Sequence, residues 1–196
     1  MGEIKSAYER AMERVAGIGK ASKEETLKWK YAPEGQRLAA QYLSEESNLA
    51  AELDKYGGEA RAFVVEGAQE VLLRNIDLPV DDVARKNSKR SMDGIRIMKK
   101  DKSALENAYS KMRRVFEHYE QDGEQQRRQA RESLKRSFEA RIQQALQQQG
   151  GLPPGARIDV ESQPQFQEEW HRVLGQLDSQ YYTLLEEYKQ EIVGIR

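Results

Sequence analysis

The sequence has no cysteine, only two histidines, five prolines and two tryptophans, and no long apolar run. The missing cysteine excludes disulfides, thiolate nucleophiles, iron–sulfur clusters and cysteine-ligated zinc. With so little histidine, imidazole-based catalysis and metal ligation have few starting points. No window reaches the run of about 18 apolar residues that a membrane-crossing helix needs. The opening residues, Met1-Gly-Glu-Ile-Lys, begin a charged amphipathic segment and lack the apolar stretch of a signal peptide. A soluble, cytoplasmic protein without a transmembrane segment is the expectation.

What the chain does contain is charge. Of its 196 residues 38% are hydrophobic and 33% charged, and the mean hydropathy is -0.89. That is thin filling for a globule and suits long amphipathic helices whose apolar residues form a narrow seam. The net charge of -1 conceals three blocks. Residues 44–82 hold ten acidic side chains against three basic, a net -7. Residues 85–102 hold eight basic against two acidic, a net +6, and residues 159–191 return to -6. Either the blocks neutralise one another when helices fold back together, or the basic block faces a polyanion.

Apolar spacing predicts helices throughout. Ile4, Tyr8, Ala11, Val15 and Ile18 form one stripe that should end near Gly17 and Gly19. Ser22-Lys-Glu-Glu25 has the form of a capping box and starts a second helix, which Pro33 should break or kink. Tyr56-Gly57-Gly58 interrupts the next seam. Gly67 then lies in an apolar face with Val64 and Val71, where a close helix neighbour would explain a residue otherwise unfavourable by about 1 kcal/mol. Pro79 suits the first turn of a following helix, with Asp81 and Asp82 at its start. From Leu105 the stripe runs through Tyr109, Met112, Phe116 and Tyr119, lapses at Asp122-Gly123 where a bend is expected, and resumes at Ala130, Leu134, Phe138, Ile142 and Leu146.

The cleanest seam comes last: Phe166, Trp170, Val173, Leu177, Tyr181, Leu184 and Tyr188, followed by Ile192. A lone helix with such a face is unstable in water and needs a partner. Between the two long stripes stands "QQQGGLPPGARIDVESQPQF", whose paired glycines and prolines stop one helix and allow the chain to reverse. The final acidic helix then lies antiparallel on a segment, residues 111–141, with nine basic and six acidic side chains. The "ARIDV" in this stretch would sit exposed at the tip.

Motifs for chemistry are incomplete. "AGIGKAS" suggests a phosphate loop, yet Arg14 and Ala21 occupy the positions that require glycine and Ser or Thr. Glu168-Glu-Trp-His171 holds one Glu-x-x-His pair, whereas a di-iron bundle needs two, and His118 has Val115 three residues before it. A single metal held by His118 and His171 across the hairpin is the remaining metal reading. No nucleophile elbow or carboxylate cluster marks an active site. The basic segment carries the strongest candidate binding set, Arg85, Lys86, Lys89, Arg90, Arg96, Lys99 and Lys100, with Arg85, Lys89 and Arg96 along one side of a helix.

The opening "MGEIKSAYERAMERVAGIGKASKEE", together with the helical, Gln- and Glu-rich remainder, resembles a family of uncharacterised bacterial proteins known only as a domain of unknown function. The likeness is strongest over these first residues. It implies a bacterial cytoplasmic origin and brings no catalytic residues with it. The last two helices are also similar, in composition, to stalk subunits of rotary ATPases.

The expectation is therefore an all-α, elongated helical bundle: an N-terminal helical region over 1–100, then a coiled-coil-like antiparallel hairpin over 101–196 with its turn near 150–164. The expected function is a non-enzymatic interaction or scaffold protein, without cofactor or metal, that binds a protein partner or self-associates through its seams. A polyanion-binding module using 85–102, for nucleic acid or an anionic surface, is the alternative. An enzyme or metal-binding bundle is the third reading.

Overall fold

A computed structural model describes residues 22–148 and 159–196. Among these the chain is all-α, with no strand and six helices: α1 (Lys23–Leu43), α2 (Leu49–Leu53), α3 (Gly58–Arg74), α4 (Asp82–Met98), α5 (Lys102–Gln148) and α6 (Pro164–Gly194). The stripe from Ile4 to Ile18, the "AGIGKAS" stretch and residues 149–158 of the expected turn lie outside the described residues. The chain divides into two compact units, Met1–Val71 and Leu72–Arg196. The division thus falls within α3 and earlier than residue 100.

In the first unit, α1 starts at the expected capping box. Ser22 Oγ accepts from the Glu25 N–H at 3.1 Å, and the Glu25 carboxylate accepts from the Ser22 N–H at 2.7 Å. The backbone bond holds the Glu25 carboxyl below its usual range. Of the break or kink expected at Pro33, the break does not occur: α1 runs through it. Proline deprives the Trp29 carbonyl of its helical donor, but Trp29 is 69% exposed and Pro33 is exposed too, so water can take that role.

Gly35 of α1 and Gly67 of α3 mark where these helices meet. A Cβ on Gly35 would collide with the Val64 carbonyl oxygen, and one on Gly67 with the Ala32 carbonyl oxygen. Each glycine therefore seats a backbone oxygen of the opposite helix, in the manner of paired Cα–H···O contacts. The sequence position of Gly67 in an apolar face has this close approach as its reason. Leu38, Ala39, Val64 and Ala68 are buried around the crossing. Lys28–Glu66 at 2.7 Å and Gln36–Glu70 at 3.0 Å flank it.

The second unit opens with Leu72, Leu73, Ile76 and Leu78 buried. Ser88 Oγ ties down the segment between α3 and α4, accepting from the Asp77 N–H and donating to the Asp77 carbonyl, both at 2.9 Å. Helix α4 begins at Asp82, with Asp81 capping the Ala84 N–H at 2.7 Å; Pro79 lies before the helix, buried, and not in its first turn. Tyr109 of α5 donates its buried hydroxyl to the Met92 carbonyl of α4 at 2.7 Å, and burial pushes its phenol well above the ordinary value.

Helix α5 is a single helix of 47 residues, about 70 Å long, and continues through Gly123. Helix α6 returns antiparallel along it, joined by Lys111–Glu191 at 2.8 Å near one end and Arg131–Glu161 at 3.1 Å near the other. These pairs unite the acidic final block with the basic face of α5. Beside the turn, Phe138, Val160 and Phe166 form a small core with Leu134, Ile142 and Trp170 against it. Val160, expected exposed within "ARIDV", is buried there because Phe138 and Phe166, whose rings pack edge to face at 5.4 Å, leave an apolar recess beside it.

Glycine substitutions separate the crossing from ordinary helix. Gly67→Ala and Gly35→Ala should each destabilise the first unit by about 1–3 kcal/mol, because a rigid backbone oxygen must move. Gly175→Ala, where a Cβ meets nothing within 4 Å in α6, should stabilise by about 0.5–1 kcal/mol. Urea unfolding of the three variants against the unmodified chain reads both signs.

Candidate functional site

The returning helix was expected to present its seam at Phe166, Trp170, Val173, Leu177, Tyr181, Leu184 and Tyr188. Phe166, Tyr181 and Ile192 are buried, and Trp170, Val173, Leu177 and Tyr188 are half-buried. The stripe departs from the expected line at one place: Leu185 is 1% exposed, whereas Leu184 is 39% exposed. Both residues satisfy helical spacing from Tyr181, so the alternation of threes and fours could not choose between them.

Tyr181 explains the choice. Its hydroxyl sits over Gly123 of α5, where a Cβ would lie 3.1 Å from the phenol oxygen. Helix α5 is unbroken at Asp122-Gly123, and the glycine there serves as a seat for this ring. Tyr181 packs edge to face on Tyr119 at 5.2 Å, and its hydroxyl is 2.9 Å from His118 Nδ1. His118 Nε2 lies 3.2 Å from an Asp122 carboxylate oxygen. On the other side the Arg127 guanidinium stacks over Tyr119 at 4.0 Å, donates to the Tyr119 carbonyl at 3.1 Å and pairs with Asp178 at 3.5 Å. Burial raises the phenols of Tyr119, Tyr181 and Tyr182.

Flanking this knot, an open groove of about 540 Å³ runs between α5 and α6. Leu177, Leu184 and Tyr188 supply its apolar wall, opposite Val115. Gln126, Gln176 and Gln180 contribute neutral amides, and Lys111, Arg114 and His118 the ionisable nitrogen groups; no carboxylate lines it. The amides and the basic rim had no signal in sequence beyond helical spacing, since their grouping depends on the register of two distant helices.

The basic segment is distributed differently. Arg85, Lys89 and Arg96 do share one side of α4, around a second groove of about 380 Å³ that also includes Arg113. Arg85 is bound to Glu120 and Asp82, each at 2.6 Å, and Arg96 to Glu106 at 3.4 Å, with Arg113 on the same Glu106. The neutralising carboxylates come from α5 and from Asp82. Lys86 is exposed, Arg90 is half-buried and both have partners; Lys89 and Lys100 are exposed.

Lys99 is a correction to the candidate set. It is 7% exposed, and its ammonium donates to the carbonyls of Ile195 at 2.5 Å and Val193 at 3.3 Å. The N–H groups of Lys100 and Asp101 both donate to the Arg196 main-chain oxygen at 2.9 Å. Three donors in the α4–α5 connection therefore satisfy carbonyls that the end of α6 leaves without helical partners. A cation held this way cannot reach a phosphate, and burial lowers its pKa.

The remaining motif also separates. His118 faces Tyr181, ten residues from His171 along α6, or about 15 Å. A shared metal between the two histidines is thereby excluded by geometry. Among the described residues no group of three or more His, Asp or Glu side chains has an arrangement suited to a metal ion. Among the same residues no helix is long and apolar enough to cross a membrane.

Replacing Lys99 tests the clasp. Lys99→Met should destabilise the chain by about 1–3 kcal/mol by leaving carbonyls without a donor. Because burial lowers the folded-state pKa, the unfolded chain binds the extra proton as pH approaches the lysine range near 10.5. Stability attributable to Lys99 should therefore rise with pH in that window, the reverse of a salt-bridged lysine. The difference between wild-type and Lys99→Met unfolding free energies, followed from neutral to alkaline pH, isolates this contribution.

Residues 50–194 fit a family of unknown function, DUF6657, and the chain belongs to that family. The opening residues that carry the likeness lie outside the matched stretch, which takes in the groove and the whole of α5 and includes Lys99 but not Ile195 or Arg196. No curated protein and no solved structure matches the chain.

Proposed function

We propose that this member of the family is a non-enzymatic, cytoplasmic helical interaction module whose α5–α6 pair binds a protein partner or a second copy of the chain. One observation carries the reading. The buried stripe of α6 shifts to Leu185 and leaves Leu184 on its flank, where with Leu177 and Tyr188 it lines an open groove. Covering such a wall returns roughly 25 cal/mol for each Å² of apolar surface removed from water. A helix laid in a groove uses anchors at this spacing.

The rival reading, polyanion binding by the basic segment, draws on the gathering of Arg85, Lys89 and Arg96 around one groove. Against it, an incoming phosphate must displace Glu106, Glu120 and Asp82 from two of those cations. It predicts salt-sensitive binding of duplex DNA that Lys89→Glu removes.

The interaction reading is tested by light scattering over a concentration series, combined with photo-cross-linking in the native cell from a reactive side chain at position 180, which also lines the groove. A discrete adduct or a concentration-dependent dimer is expected, either one lost in Leu184→Glu. A monomer at every concentration that yields no adduct would sink the reading.

A further inference from the structure

The groove beside Leu184 has a charge character that selects its occupant. Its ionisable nitrogen side chains are Lys111, Arg114 and His118, and no carboxylate lines it. Two of them have partners within the chain: Lys111 holds both Glu191 carboxylate oxygens, at 2.9 and 2.8 Å, and His118 lies between Tyr181 and Asp122. Arg114 differs. Its side chain is exposed and, among the described residues, makes no hydrogen bond or ion pair. Elsewhere on this unit most guanidinium groups have an anionic neighbour, as Arg85, Arg96, Arg113, Arg127, Arg128 and Arg131 do.

Dimensions narrow the choice further. Leu177 to Tyr188 is eleven residues of α6, about 16 Å, or three helical turns. Leu177, Leu184 and Tyr188 stand seven and four residues apart, the spacing that meets apolar side chains at i, i+3 or i+4 and i+7 of a guest helix. Gln126, Gln176 and Gln180 can each donate and accept along the guest's polar edge without imposing a sign of charge.

Resting on the interaction reading above, we infer that this groove receives an acidic amphipathic helix of a partner protein, with Leu177, Leu184 and Tyr188 taking its apolar face and Arg114 pairing with a Glu or Asp on its flank. A guanidinium facing a carboxylate at an exposed edge adds little affinity but discriminates between acidic and basic guests.

The test uses the full chain and two synthetic peptides of about 18 residues. Both carry leucine at positions i, i+4, i+7 and i+11; one has glutamates on the flanks and the other lysines. Fluorescence anisotropy should show the glutamate peptide binding about tenfold more tightly than the lysine peptide. Arg114→Glu should weaken the glutamate peptide about fivefold, whereas Arg136→Glu, the same charge change away from the groove, should leave it unaltered. Leu184→Glu should weaken it by about tenfold or more, with circular dichroism confirming an unchanged helix content.

Equal binding of both peptides, or equal effects of Arg114→Glu and Arg136→Glu, would overturn the acidic-helix inference. So would absence of peptide binding while a Leu184-dependent dimer or cross-link persists, and in that case the broader interaction reading survives. Absence of peptide binding, dimer and cross-link together removes both.

Discussion

Tyr181 against Gly123 is the contact on which the arrangement of the second unit turns. Two long helices with thin apolar stripes can slide by a heptad at modest cost unless something bulky meets something small at one level. Here a phenol packs closely over a glycine, where a Cβ would come within 3.1 Å of its oxygen, its ring is held edge-on by Tyr119, and Arg127 stacks over Tyr119 from the other side. A one-turn slip would put the ring against a side chain and separate Arg127 from Asp178. With the register fixed at this level, Lys111 reaches Glu191 toward one end and Arg131 reaches Glu161 toward the other. The ion pairs then follow from the register; exposed as they are, they contribute little to stability on their own.

The same contact makes the groove. Once Tyr181 points at Gly123, the next inward position four residues on is Leu185, and Leu184 is rotated by one residue, about 100°, to the side. A residue that helical spacing places equally well in the seam thus becomes the wall of an open surface. The groove is a consequence of two apolar residues in sequence at a position where the partner helix can cover only one.

Much of the fold was legible because helical signals are local. The capping box at Ser22 and Glu25, the break at Tyr56-Gly57-Gly58 and the two long stripes each depend on residues within a few turns of one another. Gly67 was legible as a close approach, but its counterpart Gly35 was not, since only the crossing reveals which backbone oxygen each glycine faces. Pro33 and Gly123 both lie inside continuous helices. Local rules mark both as weak points of a helix, yet Pro33 lies on a solvated face and Gly123 lies under a tyrosine, and tertiary surroundings decide what each residue costs. Block counting left two readings, mutual neutralisation or a basic face for a polyanion, and did not indicate which side chains would pair. Within 85–102, Arg96 meets Glu106 and Arg85 meets Glu120, both acids of α5, the helix whose 111–141 stretch is basic overall.

Lys99 shows why charge density is a poor guide to a binding surface in a chain like this. Helices of this length end in carbonyls that need donors, and an antiparallel pair brings the end of one beside the start of the other. At that junction a lysine, two backbone N–H groups and three carbonyls close upon each other, so a cation from the most basic stretch becomes an internal structural group. Arg85 and Arg96 are engaged by carboxylates nearby. A cation is available for recognition where the fold gives it no carboxylate and places it beside apolar surface that the chain leaves uncovered. On the hairpin those two conditions coincide at Arg114 and Leu184, and neither condition can be read from the number of positive residues in a window.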